Sequence, residues 1–283
     1  MSAAGFFMIS FSLEPSMFGM PVNRSRIWML CIPYWLIRDA HVEPAFVEQY
    51  AQKVLDSLVT NTVRSRDDYL LPPDHMACQE ELQRCLEVSR KRSTREAKQS
   101  AKEETWSASH AALFAKHGQE WSKPSVPPPH IFRQFPHLNG LTERQFDTLA
   151  LNHVKFPEAD RRCIDLTQGA GRAHMQTQRY PIVTPDCELY LTDLGRCVVG
   201  QEALGMQSIH YGQRHHLLAC YPSAFLKNLA GNAFNGHCDA ALLIARHAVL
   251  AKLWVCTCAS RLQASPLMGQ SRDDFDDVLD LDV

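Results

Sequence analysis

The sequence predicts an α/β protein, the closing part of a doubly wound sheet interrupted by a mostly helical insertion. Three observations predict it. Two near-continuous apolar runs, residues 6–13 and 27–37, have the length and unbroken hydrophobicity of strands in a sheet covered on both faces. From residue 43 to 59 the apolar positions 47, 50, 54 and 58 step by three or four, the spacing of an amphipathic helix. Near the other end, the turn Gly231-Asn232 precedes a long apolar segment, residues 233–250. Asn favours the first, capping position of a helix, so a closing helix over about 232–258 is expected to pack back on the sheet.

In chain order, residues 6–13 form the first strand. They also resemble a short signal core, but no basic residue precedes them and Glu14-Pro15 follows directly. The turn Phe18-Gly19-Met20-Pro21 then delivers Arg24 and Arg26 to the mouth of the second strand. Side chains at i and i+2 of a strand share a face, where two guanidiniums can grip a carboxylate and a polar ligand together. An edge pair that keeps a sheet end soluble has the same spacing. After the helix, Leu70-Leu71-Pro72-Pro73 breaks the chain. Residues 77–104, rich in Glu, Lys, Arg and Gln, read as a solvated helix or a partly disordered excursion. Their basic core, Arg90-Lys91-Arg92-Ser93-Thr94-Arg95, can contact phosphates, but the surrounding glutamates neutralise it.

Residues 122–130 form a polyproline-like linker. Thr142-Glu143-Arg144-Gln145 is a capping box that opens a helix through Leu151. The polar, glycine-bearing tract 165–173 is either a surface turn or a DNA-facing loop, with Arg172 reaching a phosphate or a guanine edge. Glu202 opens a short helix over residues 201–206 and is placed to pair with Arg196. Residues 273–282 form an acidic tail, expected to be disordered, whose Phe, Val and Leu residues can dock on a basic partner.

Composition sets the limits. At 283 residues and 45% apolar the chain can bury a core, and a formal net charge of −2 leaves no global basic field to steer it onto nucleic acid. Ten cysteines show no paired CxxC spacing, and thirteen histidines add no metal-ligand grid, so no metal is expected. Reduced, mostly buried thiols in an intracellular protein fit better than a disulfide scaffold; Cys31 in particular reads as a core thiol. The apolar stretch 242–259 carries Arg246, His247 and Lys252 and makes a poor membrane span. No membrane partner is expected.

Taken together, three stretches resemble the late motifs of cytosine-5 DNA methyltransferases, in the family's order. Phe18-Gly19-x-Pro21-x-x-Arg24-x-Arg26 resembles the "FGxPQxRxR" that precedes a strand. Gly195-Arg196 through Glu202, Leu204 and Gln207 resembles "R-x-L-T-x-x-E-x-x-R-L-Q-G-F". Gly231-Asn232-Ala233-Phe234 resembles the closing "GN-[SA]-V". The resemblance covers about residues 6–37 and 160–250, and Tyr180-Pro181-Ile182-Val183-Thr184 is similar to a further family segment with a scaffold role. Val22, Gly205 and Ser208 depart from the pattern. The family's Phe-x-Gly-x-Gly donor loop, Pro-Cys-Gln nucleophile loop and Glu-Asn-Val motif are absent from these 283 residues.

The resemblance implies a methyltransferase sheet, S-adenosylmethionine as cofactor, DNA as partner and a nuclear location. It assigns catalytic roles to Arg24 and Arg26, which would orient a glutamate and hold the cytosine O2. It sets Gly231 and Asn232 beside the methionine part of the cofactor. Residues 1–39 would be end strands of the catalytic domain, 40–160 a helical insertion in the target-recognition position, 161–262 the closing motifs and final helix, and 263–283 the acidic tail. Two readings follow. The chain is the C-terminal half of a methyltransferase, inactive without an N-terminal half on a longer precursor or a separate chain, or it is a non-catalytic DNA-binding or protein-interaction module. An unrelated α/β protein with accidental matches is the weaker third, because the motifs recur in order. A sheet cut in this way leaves apolar faces open, so the isolated chain is expected to be marginally stable or to need a partner.

Overall fold

A computed structural model describes residues 5–93, 102–121, 141–156, 163–171, 179–209, 215–218 and 220–263. Arg172, the linker 122–130, Thr94 and Arg95 of the basic cluster and the acidic tail lie outside the described residues. The chain divides into two compact units. The first comprises Met1–Met20, Ser25–Val63 and Gly236–Val283, and the second Pro21–Arg24 and Arg64–Asn235.

In the first unit, β1 (Phe6–Leu13) and β2 (Arg26–Pro33) pair antiparallel, from Phe6 opposite Pro33 to Leu13 opposite Arg26. The turn between them depends on Gly19. Its φ is +81°, and a Cβ there would press within 3.1 Å of the Thr62 carbonyl oxygen, so glycine answers both demands. Alternation along the strands sends Ile9, Phe11, Trp28, Leu30 and Ile32 inward. Against this face pack α1 (Tyr34–Asp39), the amphipathic α2 (Pro44–Leu58) and α9 (Gly236–Gln263). Val47, Ala51, Val54 and Leu55 of α2 meet Ala241, Ala245, Val249 and Leu253 of α9 in the core. Each such large apolar side chain contributes about 1.5–3 kcal/mol on burial.

The helix at 43–59 and the strand at 6–13 are therefore as the spacing predicts. The second strand stops earlier, at Pro33, which has no N–H to continue a ladder. The doubly wound parallel sheet is not present among the described residues. The connection from Leu13 to Arg26 holds a 3-10 turn (Pro15–Phe18) and no crossover helix, so the two strands can only return antiparallel. What the sequence predicts at coarser grain holds: the protein mixes helix and sheet. Cys31, expected in the core, is exposed, because it falls on the outward register of β2.

The second unit holds α3 (Met76–Ser93), α4 (Lys102–Lys116), α5 (Glu143–Lys155), α6 (Gly200–Met206), α7 (His215–Leu218) and α8 (Ser223–Asn232). With them is a three-stranded antiparallel sheet of β3 (Cys163–Asp165), β4 (Leu189–Leu191) and β5 (Arg196–Cys197). Thr142 caps α5 as predicted: its hydroxyl accepts from the Gln145 N–H at 3.2 Å and its own N–H donates to Gln145 Oε1 at 2.8 Å. His110 and Asp147, both buried, meet at 2.8 Å and tie α4 to α5. By length and composition alone, one helical stretch, Ser223–Arg261, is apolar enough to cross a membrane, and 28% of its apolar window is buried.

Candidate functional site

The second unit gathers four stretches that lie far apart in the chain. Arg24 is 7% exposed; its Nη1 donates to the Val183 carbonyl and its Nη2 to the Gly231 carbonyl, both at 2.8 Å. One guanidinium thereby joins the arginine segment, the Tyr180–Pro185 stretch and the C-terminal end of α8. Val22 forms a parallel bridge with Tyr180, whose N–H donates to the Pro21 carbonyl at 2.6 Å. The Tyr180 hydroxyl donates to the Arg66 carbonyl at 2.9 Å. Burial raises the Tyr180 pKa far above that of a free phenol, so the ring is a neutral donor here. Arg66 in turn pairs with Asp193.

The Gly-Arg segment is held in the same manner. Arg196 grips Glu202 with both fork nitrogens, at 2.7 and 2.9 Å. Glu202 also accepts the backbone N–H groups of Leu71 and Val199, at 2.8 and 2.9 Å. A carboxylate this buried is tolerable because four donors reach its two oxygens. The predicted Arg196–Glu202 pair is thus real, and it also anchors the Leu70–Pro73 break that precedes α3. α6 is buried along its whole length; a Cβ on Gly200 would collide with Ser223 and Leu226 of α8.

The predicted site residues separate. Strand alternation does not reach Arg24, because β2 begins at Arg26; Arg24 sits in the second unit, buried, and Arg26 in the first, exposed. The pair therefore does not present two forks from one strand face. Gly231 permits a close approach, but of this chain's own backbone: a Cβ there would overlap Thr184 and Pro185. Asn232 ends α8 and does not open the closing helix, which starts at Gly236. Its side chain is exposed, with Nδ2 donating to Asn228 at 2.8 Å, so the amide oxygen is the part left to face a ligand. No geometry bears on Arg172.

Two features had no sequence signal. One is the Tyr180–Arg66–Asp193 chain, whose members are spread over more than a hundred residues. The other is a cleft of about 200 Å³ lined by Glu81, Arg84, Asp186, Glu188 and Lys227. There Lys227 Nζ lies 3.4 Å from Glu81, which also accepts from Nη2 and Nε of Arg84 at 2.7 and 2.9 Å. Burial works to neutralise Glu81, but the Arg84 hydrogen bonds and the Lys227 charge outweigh it and hold its pKa below 4.5.

Burial pushes the Cys78 thiol up to about 11 and those of Cys197 and Cys238 up to about 12. It raises Cys163 and Cys187 as well. All five are held as thiols at neutral pH, and none is a thiolate ready to attack. Among the described residues no group of three His, Cys, Asp or Glu is arranged around a metal. No protein-family model matches the chain, and no curated protein does.

Proposed function

We propose that these 283 residues are the C-terminal portion of a cytosine-5 DNA methyltransferase, active only together with an N-terminal half, on a longer precursor or a separate chain, that carries the donor loop, the cysteine and the glutamate. The observation that carries this reading is the Arg24 fork. Three of the segments that the resemblance selects, at residues 24, 180–185 and 231, meet at one buried guanidinium.

In that assembly the target cytosine leaves the duplex, because its ring faces are unreachable within the stack. Arg26, exposed at the start of β2, holds the cytosine O2 and orients the incoming glutamate, favouring charge that builds on the ring. Arg24 is a positioning residue that ties the arginine segment to Val183 and Gly231 within the second unit. Asn232 offers its amide oxygen to the methionine part of S-adenosylmethionine, which supplies the methyl group when bound. Gly231 does not touch the cofactor and instead lets α8 sit against Thr184-Pro185. A nuclear location follows from this reading.

The first unit supports incompleteness. The outer face of the hairpin is apolar too, with Ile27 79% and Met29 63% exposed beside Met8 and Cys31. A second reading, a non-catalytic DNA-binding or protein-interaction module, is favoured by the commitment of the Arg24 fork to main-chain carbonyls. Labelled methyl transfer from S-adenosylmethionine to a cytosine-containing duplex separates the two. The proposal expects no transfer by the isolated chain and transfer by its native assembly, lost on Arg26→Ala. Transfer by neither supports the module; transfer by the isolated chain overturns the need for a second polypeptide.

A further inference from the structure

α9 has two apolar faces. Ala241, Ala245, Val249 and Leu253 fill the core, while Leu243, Ile244, Trp254 and Val255 lie exposed on the opposite side, Trp254 at 61%. A helix apolar on both sides is one that something covers. From residue 240 to 263 the helix carries Arg246, Lys252 and Arg261 and no Asp or Glu, and with Lys252 set over the Tyr50 ring the exposed Arg246 and Arg261 suit an acidic cover. A second copy of the same face would set arginine against arginine. By sequence, residues 273–282 hold six aspartates and no basic residue, interleaved with Phe275, Val278, Leu279 and Leu281.

We propose that the exposed face of α9 is a docking surface and that its occupant is this chain's own segment 273–282. The aspartates would meet Arg246 and Arg261, and Phe275 and Leu279 would cover Trp254 and Val255. The connection is long enough. Nine residues, 264–272, span about 30 Å extended, whereas Trp254 lies about 14 Å back along the helix from Gln263. Pro266 and Gly269 within the connection suit a reversal of direction. The inference stands whether or not the methyltransferase reading does.

Cys258, exposed on the same face, reports occupancy. The full-length chain is treated with a maleimide, and modification of each cysteine is followed by peptide mass spectrometry. Docking predicts that Cys258 reacts about fivefold faster in Phe275→Ala/Leu279→Ala, or when the six aspartates are changed to asparagine, than in the unaltered chain. Exposed Cys31 and Cys220 should keep their rates in all three proteins. Equal Cys258 rates throughout overturn the proposal. So does protection that grows with protein concentration, which would place a second copy's segment on the face, or protection that needs vesicles of anionic lipid.

Discussion

At the scale of single residues, Arg24 and Arg26 make the sharpest contrast. Arg24→Ala strands two buried carbonyls and opens the junction of three segments, so it should destabilise the chain by about 3 kcal/mol in a denaturant melt. Arg26→Ala removes an exposed side chain and should stay within about 0.5 kcal/mol, leaving its consequence to the methyl-transfer assay. Gly231→Ala forces a Cβ into Thr184-Pro185 and should cost about 2 kcal/mol even though the substitution is a single methyl. The Glu81–Lys227 pair gives a pH signature. The Glu81 pKa is depressed on folding, so its contribution is complete above 4.5 and disappears as pH falls through the lower folded value. Lys227 is raised: burial alone would lower it, but the Glu81 charge wins, so its contribution holds below 10.5 and fades as pH rises through the higher folded value. Thermal melts should therefore weaken below pH 4.5, and Glu81→Gln should melt lower at pH 7 with a flatter acid limb.

At the scale of elements, what was legible in the sequence is what depends on local pattern. The strand at 6–13, the helix at 43–59, the capping box at Thr142 and the Arg196–Glu202 pair all rest on contacts within a few residues or on unambiguous periodicity. The failures share a physical cause. The apolar runs correctly announce two apolar faces, but sequence does not say whether a face is covered, so a parallel interior sheet is expected where an antiparallel hairpin stands. Asn232 is as suitable for the end of a helix as for its start, and only the packing of α8 on Thr184-Pro185 decides between them. Arg24 is two residues from Arg26, yet the strand begins between them. The hairpin makes its own prediction: Met29→Lys on the outer face should leave the isolated chain's stability within about 0.5 kcal/mol, while Leu30→Lys on the inner face should unfold the first unit. If Met29→Lys also abolishes activity of the native assembly, the outer face is a contact surface within that assembly.

At the scale of the whole molecule, the protein comprises two compact units, one built on a hairpin with an open apolar face and one held by buried arginines. The proposed methyltransferase reading accommodates both: on it, the open face would join a larger sheet and the buried arginines would hold the closing segments in place. A reversible, cooperative melt of a strictly monomeric chain would weigh against that account, whereas binding of an apolar dye to the native chain is its expected companion. The most direct test starts from the endogenous protein, captured through an antibody against residues 105–135 and assayed for transfer of labelled methyl to a cytosine duplex. The account predicts transfer by that assembly, none by the isolated 32.1 kDa chain, and loss in the assembly on Arg26→Ala. An endogenous species of 32.1 kDa, alone and without transfer activity, would contradict it.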